Sequence, residues 1–153
     1  MTSFAVAGDP PVLDGPEGAA LDAVLAVVLP STSGAGAAEA EVGRYVRTRL
    51  AGPDADWLVL LRRWLTADVL GRTRGATAGP DGALADQRAA AAVAALAAEA
   101  DGPWPGLFEQ IRLWAWSGYL CDPGRGGNVG AVGWQRFDWA PPAGRTHTAG
   151  VRR

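Results

Sequence analysis

Residues 107–134 read LFEQIRLWAWSGYLCDPGRGGNVGAVGW, and the character of the chain changes halfway along them. In the first half Leu107, Phe108, Ile111, Trp114 and Ala115 recur with the period of one buried helical face, which predicts a helix ending around Tyr119. In the second half, residues 121–134, five glycines, the only cysteine and the only asparagine fill fourteen positions, and no period remains. The first half argues for packed helices. The second poses the question of what a glycine-rich segment does behind one.

Upstream of this stretch the same period returns. Leu21, Val24, Leu25 and Val28 are spaced i, i+3, i+4, i+7 in a helix predicted from about Glu17 to the stop at Pro30. After the loop STSGAG, Val42, Tyr45, Val46, Arg49 and Leu50 predict a second helix closed by Gly52 and Pro53. A third runs from about Asp54, where Asp54 and Asp56 suit the positive end of the helix dipole. Its buried stripe is Trp57, Leu58, Leu61, Trp64 and Leu65, with Leu70 on the side of the last turn. Residues 83–100 are mostly alanine, with Leu84, Val93 and Leu96 as larger apolar residues. Such a helix has high propensity and little volume, so it can approach its neighbours closely. Five helices and no alternating strand pattern predict an all-α bundle with an extended glycine-rich C-terminal segment. The organisation read from composition is an extended arm over 1–16, a single helical domain with a C-terminal docking loop over 17–140, and a solvated tail over 141–153. The stretch GRTRGATAGPDG is a flexible connection.

The chain has 153 residues, 48% of them hydrophobic, and a formal net charge of −2, enough for one domain with a real core. All 14 basic residues are arginine, offset by 16 acidic ones and nowhere gathered in a block, which argues against nucleic acid or an anionic membrane as partner. The apolar run LDAVLAVVL is too short and too interrupted to insert in a bilayer. No basic residue precedes Arg44, so the N-terminal stretch has neither a Sec n-region nor a twin-arginine motif. The expected location is therefore cytoplasmic, with export alongside a partner left open.

Few chemistries survive inspection. A phosphate-cradling GxxxxGK[ST] loop needs a lysine, and there is none. A dinucleotide fingerprint starting at Gly124 and Gly126 would need glycine where Val129 stands, and it would have to follow a strand rather than a helix. One cysteine and one histidine, Cys121 and His147, cannot form a Cys/His zinc site. Cys121 reads as a small buried thiol at a helix end, and His147 belongs to the tail. Glu39 with Glu41, and Asp54 with Asp56, are two apart and point to different sides of a helix, as first-turn charges do. Trp57 and Trp64 read as core. Trp114 and Trp116 cannot share a helical face, so one of them leaves the core. In the segment itself the glycines permit positive φ, and Asp122 and Asn128 can hydrogen-bond the backbone. Trp134, Phe137 and Trp139 punctuate the irregular chain. Such a segment either covers the chain's own core or lies on another protein through aromatic anchors.

SGYLCDPGRGGNVGAVGW resembles the signature of the gluconate 2-dehydrogenase subunit 3 family, in which a helix runs into a segment like GY..DP.YGGN....GW. The matching positions are Gly118, Tyr119, Asp122, Pro123, Gly126, Gly127, Asn128, Gly133 and Trp134. LDAVLAVVLPSTSGAGAAEAEVGRYVRTRLAG is similar to the family's N-terminal pattern: a helix ending in proline, a Gly/Ala loop, an Ala-Glu-Ala start, and a helix closing on Leu-Ala-Gly. Arg125 stands where an aromatic is common before GGN, FDWAPP replaces the usual ending after GW, and the twin-arginine leader common in the family is missing. The resemblance implies a small, mainly helical, non-catalytic subunit that binds a large flavoprotein of the glucose-methanol-choline oxidoreductase type, acting on hydroxyls of sugars and related alcohols. FAD and the catalytic base then belong to the partner, with no cofactor in this chain. The partner-binding residues it implies are Tyr119, Asp122, Arg125, Gly126, Gly127, Asn128, Gly133, Trp134 and Trp139. Two other readings remain: a stand-alone enzyme or small-ligand binder using Cys121, Asp122, Arg125 and Asn128 of the 121–134 loop, and a transient assembly chaperone.

Overall fold

The computed structural model describes residues 12–13, 15–71, 82–99 and 101–140. Most of the expected arm, the connection expected to be flexible after Gly71, and the expected tail with His147 lie outside the described residues. Among the described residues six α-helices follow one another: α1 Gly15–Val28, α2 Val42–Leu50, α3 Leu58–Trp64, α4 Gly82–Ala98, α5 Leu107–Leu120 and α6 Val132–Arg136. There is no strand among the described residues, and the fold is all-α as the periodicity predicts.

α1 is the central element, packed against α2, α4, α5 and the turn Leu65–Leu70 that follows α3. Leu21, Val24 and Leu25 are buried on its inner face, while Val28 is only half-buried. Leu13, at the close of the expected arm, is also buried, so the core begins before the first helical turn. Surface ion pairs tie the helices at their rims: Arg47 of α2 to Asp22 of α1 at 2.9 Å, and Arg62 of α3 to Glu17 of α1 at 2.8 Å. Exposed pairs of this kind contribute little stability compared with the apolar contacts they flank.

Two elements depart from the periodic reading. The third helix opens as a 3₁₀ turn, Ala55–Trp57, and after Trp64 it widens into a π-turn, Leu65–Leu70, instead of continuing as one α-helix. The wider turn keeps Trp64, Leu65 and Val69 all buried, against α1 and α4. Asp54 stands at the N-cap of that 3₁₀ turn, as expected near the start of the helix, yet its side chain makes no cap hydrogen bond. Its carboxylate instead accepts both Arg49 Nε at 2.8 Å and Arg49 Nη2 at 3.0 Å. Trp114 Nε1 of α5 donates to the same carboxylate at 2.8 Å. Glu39 likewise serves a loop, accepting Ser31 Oγ and the Gly36 N–H, both at 2.8 Å.

On α5 the two tryptophans separate as their spacing requires. Trp114 is buried and Trp116 is exposed. α5 lies close to α2 because Gly118 faces Tyr45, where a Cβ would come within 2.8 Å of the ring.

Candidate functional site

At Cys121 the backbone leaves α5 in an extended conformation, and Pro123 starts a single 3₁₀ turn, Pro123–Arg125. Asp122 Oδ1 accepts the Gly124 N–H at 2.8 Å, the local cap its side chain is suited to make. Gly126 then reverses the chain with φ +93°.

Asn128 organises the rest of the segment. It takes the left-handed conformation, φ 48°, which asparagine tolerates better than most residues. Its side chain is completely buried. Nδ2 donates to the Cys121 carbonyl at 2.9 Å, and Oδ1 accepts the Gly133 N–H at 2.8 Å. One side chain thereby joins the first and last turns of the segment. A second 3₁₀ turn, Val129–Ala131, leads into α6, a short helix where an irregular coil was expected.

Gly127 and Gly133 are needed for close approach rather than for their dihedrals. A Cβ on Gly127 would overlap the Gly118 carbonyl oxygen, and one on Gly133 would overlap that of Tyr119. Both pack directly on the last turn of α5. Trp134 is buried there too, its Nε1 donating to the Leu120 carbonyl at 2.8 Å and its ring meeting Trp139 edge to face at 4.6 Å.

The two stretches that carry the family resemblance, far apart in sequence, adjoin in space. Tyr119 Oη donates to the Ala35 carbonyl, the Val129 N–H to the Ala40 carbonyl at 3.3 Å, and Arg136 Nη2 to Ser33 Oγ at 2.9 Å. The Gly/Ala loop after α1 is a second support for the glycine-rich segment.

The residues expected to bind a partner divide sharply. Tyr119, Gly127, Asn128, Gly133 and Trp134 are buried inside the chain's own fold. Asp122 and Gly126 are half-buried, and Arg125 and Trp139 are exposed. Arg125 lines a cleft of about 480 Å³ against Arg44, Tyr45 and Thr48 of α2. Trp139, with Leu120, Trp134 and Phe137, lines an open apolar hollow of about 340 Å³. The sequence did not single out Leu113 or Leu120, both exposed on α5. The available signal was a second apolar stripe opposite the core-facing one, hidden by the strength of the first.

Nucleophilic or metal chemistry finds little support at this site. Cys121 is partly buried, its thiol donating to the Gly118 carbonyl at 3.4 Å. Burial pushes its pKa up, outweighing the lowering by the Gly127 N–H and by Arg125. Among the described residues no three His, Cys, Asp or Glu side chains are grouped to hold a metal. Every buried side-chain nitrogen or oxygen among them has a hydrogen-bond partner. Nor is any described helix long and apolar enough to cross a membrane.

No curated protein and no solved structure matches the chain significantly. A family model does: the one described as gluconate 2-dehydrogenase subunit 3 matches residues 16–141. That range runs from the first turn of α1 through α6 and includes both stretches joined around Asn128, so the chain belongs to the gluconate 2-dehydrogenase subunit 3 family.

Proposed function

We propose that this protein is a non-catalytic accessory subunit that binds, stabilises and assists folding of a large FAD-dependent oxidoreductase of the glucose-methanol-choline type. The substrates of that partner are hydroxyls of sugars or related alcohols, and its flavin and catalytic base lie outside this chain. Family membership supplies the prior. The observation that carries the reading is the use made of the signature: Tyr119, Asn128 and Trp134 direct their polar atoms to this chain's own backbone carbonyls and N–H groups. Residues so engaged shape a surface rather than turn over a substrate.

On this reading residues 17–140 form one helical domain whose C-terminal segment docks. The buried members of the partner-binding set, Tyr119, Gly127, Asn128, Gly133 and Trp134, hold the segment's form. Asp122, Arg125, Gly126 and Trp139 are its outward members. Binding of that surface only to the native flavoprotein shifts the flavoprotein's folding equilibrium by mass action.

Co-expression of the tagged chain with the flavoprotein, followed by size exclusion at the flavin absorbance, tests this. The expected result is a yellow complex of fixed ratio and a large subunit that is poorly soluble alone. A colourless small chain eluting by itself, beside a flavoprotein fully active without it, would overturn the proposal.

A further inference from the structure

Among the described residues the exposed large hydrophobic side chains are Val59, Leu113, Trp116, Leu120, Phe137 and Trp139. All but Val59 belong to α5 or to the chain around the end of α6. Leu113, Trp116 and Leu120 are spaced i, i+3, i+7 and so share one face of α5. Leu120 also lines the 340 Å³ hollow with Trp134, Phe137 and Trp139, so the apolar surface continues from the middle of α5 to Trp139.

This band is braced from beneath. The buried ring of Tyr119 meets Trp116 edge to face at 6.1 Å, and that of Trp134 meets Trp139 at 4.6 Å. In each pair a buried signature aromatic supports an exposed one. Of the charges near it, Arg112 pairs with Glu109 at 3.1 Å and Arg136 donates to Ser33 at 2.9 Å, while Asp138 is exposed between Phe137 and Trp139. An aromatic centre inside a polar rim is the anatomy of a protein interface. A rigid surface of this kind also loses little side-chain freedom on binding.

We infer that the outer face of α5 and the hollow beside α6 form one seat for the large flavoprotein subunit, the hollow receiving a bulky apolar side chain of that subunit. This rests on the accessory-subunit reading above. The family is described as a subunit, which calls for a different chain as occupant. The band's exposed large side chains are apolar and Asp138 is the charge set between Phe137 and Trp139, so the complementary surface is mainly apolar.

The test uses the full chain co-expressed with the flavoprotein, with the photo-crosslinker p-benzoylphenylalanine placed at Trp116, at Phe137, or at Val59 as control. Conjugates with the large subunit should form from positions 116 and 137 and not from 59. In parallel, the double variant Leu113→Ser/Phe137→Ser should bind at least tenfold more weakly while keeping the wild-type helical circular dichroism. If the wild-type complex forms but neither band position crosslinks and the double variant binds normally, the seat is elsewhere and the accessory role stands. Crosslinking only to a second copy of this chain overturns the choice of occupant. If no wild-type complex forms, the seat fails together with the functional reading.

Discussion

Asn128 shows how much of the segment depends on one side chain. It is completely buried, left-handed, and bonded at both ends of its amide. Asn128→Ala leaves the Cys121 carbonyl and the Gly133 N–H without that partner, and places a Cβ residue in a conformation alanine disfavours. The expected loss is about 2–4 kcal/mol, read as a lower midpoint in urea. Asn128→Gly removes the same bonds but not the backbone preference, so it should recover about 1 kcal/mol of that loss; equal midpoints for the two variants would show that the dihedral carries none of it. Cys121 is a second residue-scale case. Its thiol pKa is raised, chiefly by burial, so the folded chain favours the neutral form. A thiol-specific disulfide reagent at pH 8 should therefore react more slowly with the native chain than with the same chain in denaturant. A faster native rate would return Cys121 to the candidates for chemistry.

Between elements, the Arg49–Asp54–Trp114 contact joins the turn after α2 to the middle of α5. Arg49 holds the Asp54 carboxyl below its ordinary range, with a further contribution from the Trp114 N–H against the opposing effect of burial. Because the folded pKa is depressed, the stabilisation is present above the unfolded value of about 3.9 and fades as pH falls through the folded value. Asp54→Asn should accordingly narrow the stability gap between wild type and variant as the pH is taken below about 4. Trp114→Phe loses both the N–H and the second ring of a buried side chain, and should cost about 2–4 kcal/mol. A double-mutant cycle of Trp114→Phe with Asp54→Ala, which removes the acceptor as well, that shows no coupling would mean the 2.8 Å contact contributes nothing. The sequence showed the helices on either side of this contact, because the apolar period of Val42–Leu50 and Leu107–Leu120 is strong. It did not show the contact, since Asp54 at the start of a predicted helix has a simpler local role as a dipole partner. The π-turn Leu65–Leu70 was hidden for a related reason: apolar residues fill the stretch so densely that an α period and a wider one fit it equally. In the glycine-rich segment, Asp122, Asn128 and Gly126 could be read as turn-makers from their chemistry alone. That Asn128 spans from Cys121 to Gly133, and that Trp134 folds back on Leu120, depends on tertiary approach that no local spacing encodes.

At the scale of the whole molecule Tyr119, Gly127, Asn128, Gly133 and Trp134 are buried while Leu113, Trp116, Leu120, Phe137 and Trp139 are exposed, and on the proposed reading the fold mounts that apolar surface. A partner that binds only the native large subunit stabilises it by RT ln(1 + [L]/Kd), about 2.7 kcal/mol when the small chain is present at 100 times Kd. Thermal unfolding of the flavoprotein followed by flavin release should thus move upward as this chain is added, and keep rising by about 1.4 kcal/mol for each further tenfold in its free concentration. Leu113→Ser/Phe137→Ser, with affinity weakened tenfold, should give the same curve displaced to tenfold higher concentration. Val59→Ser, on an equally exposed position away from the band, should leave it unchanged. A permanent subunit and a transient assembly factor differ in this measurement. The first shifts the unfolding of mature flavoprotein, whereas the second improves the yield of soluble flavoprotein during synthesis and leaves the unfolding of the finished protein where it was. A flat titration beside improved soluble yield would therefore replace the subunit with a chaperone that lets go of its product.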